Sequence, residues 1–130
     1  MILIVDDEYD IVTIMKISLE KAGLSVSSYV DPIAALDEFR SHPYIYDLVI
    51  SDIKMPVMDG YEFIQQVKLI RPEVRVIIMS AFEFSYLDFP QGLSRSMIEE
   101  FVEKPISPYN LSRIVLKYEI NKEGIQKQLC

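Results

Sequence analysis

The chain has 130 residues, half of them apolar, and a formal net charge of −7. That length carries one hydrophobic core and is too short for two, so a separate effector domain is not expected, and the acid excess argues against bulk-surface nucleic-acid binding, which demands lysine and arginine clusters. A single cysteine, Cys130, at the last position, excludes an internal disulfide and any cysteine-based metal site. No apolar run reaches bilayer length, and Met1 leads into a strand without a basic region or cleavage site, which gives the expectation of a cytoplasmic protein with no membrane segment.

Ile2 to Val5 is a continuous apolar run, the pattern of a strand buried on both faces. Tyr9 to Ala22 carries a helical stripe of Ile11, Ile14, Met15, Ile17 in part, Leu19 and Ala22, stopped by Gly23. Leu24 to Val30 alternates around Val26 and several serines, as an edge strand does. Asp31-Pro32 supplies an N-cap and a first-turn proline for a helix to about Ser41, broken by His42-Pro43-Tyr44. His42 reads as a surface residue, with Tyr44 and Tyr46 covering the end of the next strand.

That strand, Leu48 to Ser51, ends on Asp52. A loop with Pro56 follows, and a helix runs from about Asp59 or Gly60 to Ile70, with Arg71-Pro72-Glu73 as the turn out. Val74 to Met79, interrupted only by Arg75, is a further apolar strand ending on Ser80-Ala81. In the segment 82–98, Pro90 and Gly92 fall where a crossover helix is expected, so either that helix begins only near Gln91 or its first part is loop. Phe82, Phe84, Tyr86, Leu87 and Phe89 exceed what one side of a short helix buries; they close over a site or form an exposed patch. Phe101 to Glu103 is a fifth strand, and Glu99, Glu100 and Glu103 read as a solvated face. Ser107-Pro108 opens a last helix through Leu111, Ile114, Val115 and Tyr118, and the pattern fades into a polar tail after about Ile120.

Five strand–helix pairs of this spacing imply a parallel sheet with helices on both faces, because parallel strands need crossovers of one hand. The strand ends then gather on one edge, where open α/β folds place their ligands. At those ends stand Asp6, Asp7, Asp52, Ser80 and Lys104. Asp52 alone is also compatible with an ordinary turn residue, and Ser80 with a turn serine. Adjacent carboxylates at a buried strand end repel unless a positive charge sits among them, and such a set is a hard oxygen site of the kind Mg²⁺ uses when it also binds phosphate. A carboxylate can attack a phosphoryl group only if anion repulsion is cancelled, and Lys104 can reach in as a point charge.

With these residues, and with Met55-Pro56 and Asp59-Gly60 after the acid, the sequence resembles a receiver domain of two-component response regulators, the flavodoxin-like module to which the chemotaxis regulator belongs. The resemblance covers residues 1–118 and implies a single-domain α/β fold, (βα)5 and doubly wound, with a five-stranded parallel sheet over 1–120, followed over 121–130 by a C-terminal tail that is either the end of the last helix or disordered. It implies Asp52 as phosphoacceptor. Asp7, Asp52 and the backbone carbonyl of Lys54 would bind Mg²⁺, with Asp6 acting through water. It implies a hydroxyl at Ser80 and an aromatic at Phe101 as the switch pair; for Phe101 a plain core role stands beside that one. Lys54 and Phe82 occupy the two positions that, by resemblance, modulate phosphoryl lifetime, which gives the expectation of slow self-dephosphorylation.

The implied function is a stand-alone phosphorylation switch. It would receive its phosphoryl group from a histidine kinase or phosphotransfer protein and then dock a protein target, as a monomer or weak homodimer. Two other classes stay open. One is a pseudo-receiver binding module that never carries phosphate. The other is a Mg²⁺-dependent phosphatase working through an aspartyl phosphate; such an enzyme needs a general acid two residues after the nucleophile, and that position holds Lys54.

Overall fold

The computed structural model describes residues 1–81 and 89–129, with side chains through 118. Five strands form one parallel sheet: β1 (Ile2–Val5), β2 (Val26–Tyr29), β3 (Leu48–Asp52), β4 (Arg75–Ser80) and β5 (Glu100–Glu103). Their order is β2-β1-β3-β4-β5, so β1, β3 and β4 are interior and β2 and β5 are edges. The interior strands carry the apolar runs 2–5, 48–50 and 76–79, as burial on both faces requires. Four α-helices accompany them among the described residues: α1 (Tyr9–Lys21), α2 (Pro32–Ser41), α3 (Gly60–Ile70) and α4 (Pro108–Leu129).

Alternation along the strands divides the interior into two layers. Leu3, Val5, Val49, Val76 and Ile78 meet Phe39 of α2 and Phe63, Ile64 and Val67 of α3 on one face. On the other, Ile2, Ile4, Leu48, Ile50, Ile77 and Met79 meet Met15 and Leu19 of α1 and Leu111 and Val115 of α4. The sheet is therefore doubly wound, and the switch between faces opens a crevice at the carboxyl ends of β1 and β3.

Local chemistry sets the helix starts. Asp31 accepts from the Ile33 N–H at 2.9 Å before Pro32, Asp59 accepts from the Glu62 N–H at 2.9 Å, and the Ser107 hydroxyl accepts from the Asn110 N–H at 3.1 Å. Four expectations need correction. In α1 the buried stripe is Val12, Met15 and Leu19, while Ile14 and Ile17 are about half exposed, because the periodicity admits either of two adjacent phases. Tyr44 is 79% exposed and only Tyr46 enters the core, where its hydroxyl finds Glu38 at 3.0 Å. Glu99 and Glu100 are not a free solvated face: Glu99 accepts from the Val76 N–H at 2.6 Å, and Glu100 pairs with Lys117 at 2.6 Å and the Tyr118 hydroxyl at 3.0 Å.

The fourth correction concerns the crossover from β4 to β5. No α-helix starts near Gln91: among the described residues that crossover holds only a 3₁₀ turn, Arg95–Met97, since Pro90 and Gly92, at φ +94°, forbid a continuous helix. Phe82, Phe84, Tyr86 and Leu87 lie outside the described residues. Phe89 packs half-buried against the core. The backbone of α4 continues as helix past Ile120 to Leu129.

Candidate functional site

Asp6 follows β1, Asp52 and Ser80 close β3 and β4, and Lys104 follows β5, so parallel register alone delivers these side chains to one sheet edge. Among the described residues, three of the four buried polar ones are Asp6, Asp52 and Ser80; the fourth, Ser51, donates its hydroxyl to the Asp52 carbonyl at 2.8 Å. Asp7, Glu8, Asp52, Lys54, Ser80, Ala81 and Lys104 line a cleft of about 230 Å³. Asp6 is buried and does not line that cleft.

Lys104 organises the charges. Its Nζ is 2.6 Å from Asp6 Oδ2, 3.4 Å from Asp52 Oδ1 and 4.0 Å from Glu8 Oε1. Burial pulls the ammonium down, but the hydrogen bond and charge of Asp6, joined by Asp52, hold it above the usual lysine range. The other Asp6 oxygen accepts from the Glu8 N–H at 3.0 Å, so both oxygens of the buried acid are engaged by the protein. The lysine is closer to Asp6 than to Asp52, a division that the sequence does not reveal.

Asp52 stands differently. It accepts from the Ile53 N–H at 2.9 Å and has Lys104 on one side. Burial, with the charge of Asp6 behind it, nevertheless pushes its carboxyl up to about 6. Lys104 offsets burial and the charge of Asp6 only in part, so a further cation beside the carboxylates would favour the ionised form. The donor set suits a hard one: carboxylate oxygens of Asp6, Asp7 and Glu8 lie within 4.8 Å of one another, and Asp7 is exposed at the mouth. Glu8 is the residue sequence reasoning passed over; its signal was its place beside two acids at the same strand end.

The loop after Asp52 is held tightly. Gly60 N–H donates to the Ile53 carbonyl at 2.7 Å, and a Cβ on Gly60 would stand 2.0 Å from the Asp52 carbonyl oxygen, so only glycine fits where α3 meets β3. Val57, 89% exposed, takes φ +75° while the Met58 N–H donates to the Pro56 carbonyl at 2.8 Å, a γ-turn in the left-handed half of the map. A β-branched residue there is strained.

Ser80 is buried in the cleft wall, and its carbonyl accepts from the Lys104 N–H at 2.7 Å. Phe101 pairs in register with Ile78, two residues before Ser80, so the two side chains leave the sheet on the same face. Phe101 is half-buried and packs against the layer that also holds Tyr61 and Phe89. Phe82, the other residue expected beside the cleft, lies outside the described residues.

A doubly wound sheet whose carboxyl edge gathers paired acids, a hydroxyl and a lysine around one buried aspartate defines the class. The chain belongs to the response regulator receiver domain family, whose model matches residues 2–116. Family members are phosphoacceptor signalling domains of two-component systems, and Mg²⁺ at the acidic pocket is general among them. Among curated relatives, the chain is 36% identical over 110 residues to the probable transcriptional regulator ycf27 of Cyanidium caldarium, a match spanning 85% of this chain and 42% of that protein. Among solved structures, it is similar to a response regulator receiver domain protein of Clostridium thermocellum, at 30% identity and TM-score 0.79 over 96% of this chain and 97% of that one. It is also similar to the response regulator TrrA of Thermotoga maritima, solved in complex with Mg²⁺ and BeF, at 31% identity and TM-score 0.76 over 90% of this chain and 96% of that one. Among the described residues no helix is long and apolar enough to cross a membrane.

Proposed function

We propose that this chain accepts a phosphoryl group on Asp52 from a histidine kinase or phosphotransfer protein and passes the event to a protein target through Ser80 and Phe101. The observation that carries the reading is the seat of Lys104: one ammonium touching the buried Asp6 and, at 3.4 Å, the carboxylate of Asp52 in a cleft also lined by Ser80.

In the reaction an Asp52 carboxylate oxygen bonds to phosphorus as the bond from phosphorus to the donor nitrogen breaks, and the electron pair leaves with the donor imidazole. Asp7, Asp52 and the Lys54 backbone carbonyl would hold Mg²⁺, with Asp6 reaching it through water. When bound, the ion supplies the positive charge that lets two anions meet and clamps the phosphoryl oxygens. Asp6 has a second task, anchoring Lys104 so that its ammonium is already beside Asp52 when the new charge arrives. Ser80 offers a hydroxyl to a phosphoryl oxygen from the cleft wall, and the space it vacates lies on the face that Phe101 occupies. The cleft holds lysine at position 54 where a phosphatase would carry its general acid, which favours a switch over turnover of external substrates. Cytoplasmic location fits a donor of this kind.

The test is incubation of the wild type and Asp52→Asn with a small phosphodonor and Mg²⁺, read by intact mass. A phosphoryl mass on the wild type that is absent from the variant supports the reading. An unmodified wild type points instead to a binding module of the same fold.

A further inference from the structure

The ring of Phe101 is held from two directions by the segment that crosses from β4 to β5. Phe89 lies parallel to it, with ring centroids 6.4 Å apart and planes 10° from coplanar, and Phe89 in turn packs on Tyr61 of α3 at 4.8 Å. The Arg95 guanidinium carbon stands 4.5 Å from the Phe101 ring centroid, and Arg95 Nη1 donates to the Ile98 carbonyl at 2.7 Å. The guanidinium is thus fixed by its own backbone turn while it covers the ring. A cation over an aromatic face and an offset stacked pair each favour the seated ring by energies comparable to a single rotamer change.

We propose that Arg95 and Phe89 form a latch on Phe101, so that Phe101 leaves its seat only when the 89–97 segment moves with it. The inference deepens the switch described above and rests on it. It differs from a lone rotating aromatic in one respect: the moving unit is a strap of chain anchored at Tyr61. Phe101 has no hydroxyl with which to hold an alternative position, so the balance between its two states falls to the partners that seat it. Arg95 is a positioning residue here, acting through Phe101.

Hydrogen exchange of the full chain, read by mass spectrometry, tests this with beryllofluoride and Mg²⁺ as the acyl-phosphate mimic. The expected result is that peptides over 89–97 and 100–103 change together. Without the mimic, Arg95→Met and Phe89→Leu should each speed exchange in both segments about fivefold, the factor for ~1 kcal/mol of lost ring contact, while β1 and β3 keep their protection. Both variants should also bind the mimic more tightly, because the seated state competes less. Arg95→Lys, which keeps the cation, should fall between wild type and Arg95→Met. A response over 100–103 with 89–97 unchanged overturns the latch, and so does wild-type exchange over 100–103 in Arg95→Met. If the mimic-free exchange of both variants is as expected but residues 52–60 ignore beryllofluoride, the latch stands and the phosphoacceptor reading fails.

Discussion

Replacing Asp52 by Asn should make the metal-free protein more stable at neutral pH. The carboxyl is pushed from the ordinary 3.8 to about 6 in the fold, first by burial and then by Asp6. The folded chain therefore binds the Asp52 proton more tightly than the unfolded chain does. It follows that stability falls as pH rises from about 4 to about 6 and is level above that, because the folded state must carry an ion it disfavours. At ~1.4 kcal/mol per pH unit the penalty approaches ~3 kcal/mol, of which about 2 kcal/mol should be recovered by an isosteric neutral amide that keeps the Ile53 N–H bond. For a domain of this size that is a rise in melting temperature of roughly 6–10 °C. Thermal and urea melts in EDTA at pH 7.5 and pH 4.5 measure it. The variant should lead at pH 7.5, lose most of its lead at pH 4.5, and lose it again when Mg²⁺ stabilises the wild type by binding the folded state alone. An Asn variant no more stable than wild type at pH 7.5, or equally ahead at both pH values, would refute the electrostatic account.

Other perturbations follow from the same geometry. Gly60→Ala drives a Cβ into the Asp52 carbonyl at 2.0 Å and should cost about 3 kcal/mol or more in urea unfolding, and on the function proposed above it should also abolish phosphorylation as β3 and α3 are pushed apart. Val57→Gly relieves a β-branched residue at φ +75° with an exposed side chain, so chemical denaturation should show a gain of about 1 kcal/mol. Lys104→Met strands Asp6, 1% exposed, without its ammonium; a loss of about 3 kcal/mol at pH 7.5 is expected, and melts unchanged from wild type would show that the pair contributes nothing.

The strands and the edge they share were legible because three of them are apolar runs ending on polar residues, interrupted only at Arg75, and runs of that length bounded by turn residues fit strands buried on both faces. Asp31-Pro32, Asp59-Gly60 and Ser107-Pro108 marked helix starts through cap chemistry that acts locally, and the structure keeps all three. What failed were choices that depend on neighbours far along the chain. The phase of α1 turns on whether Val12 or Ile14 meets β1 and α4, which composition does not encode. Tyr44 and Tyr46 are two positions apart with the same side chain, and only the path of the chain decides which one reaches Phe39. At the site, the acids and Lys104 were readable as a set, but the partition of the ammonium toward Asp6 and the entry of Glu8 into the cleft follow from distances of a few ångströms. The aromatic contacts of Phe101 were hidden for a similar reason: Pro90 warned that the crossover was irregular without saying where Phe89 and Arg95 would land.

The far end of β5 carries its own ionic knot. Arg75 donates to the Tyr118 carbonyl at 2.7 Å, the Tyr118 hydroxyl meets Glu100, and Glu100 meets Lys117, all at the opposite pole of the sheet from Asp52. The domain thus keeps its polar fastenings at two ends, with a dry girdle of aliphatic side chains between them. A chain built this way can exchange residues around Glu100 and Lys117, and with them whatever it touches there, while the chemistry at the other pole is left undisturbed.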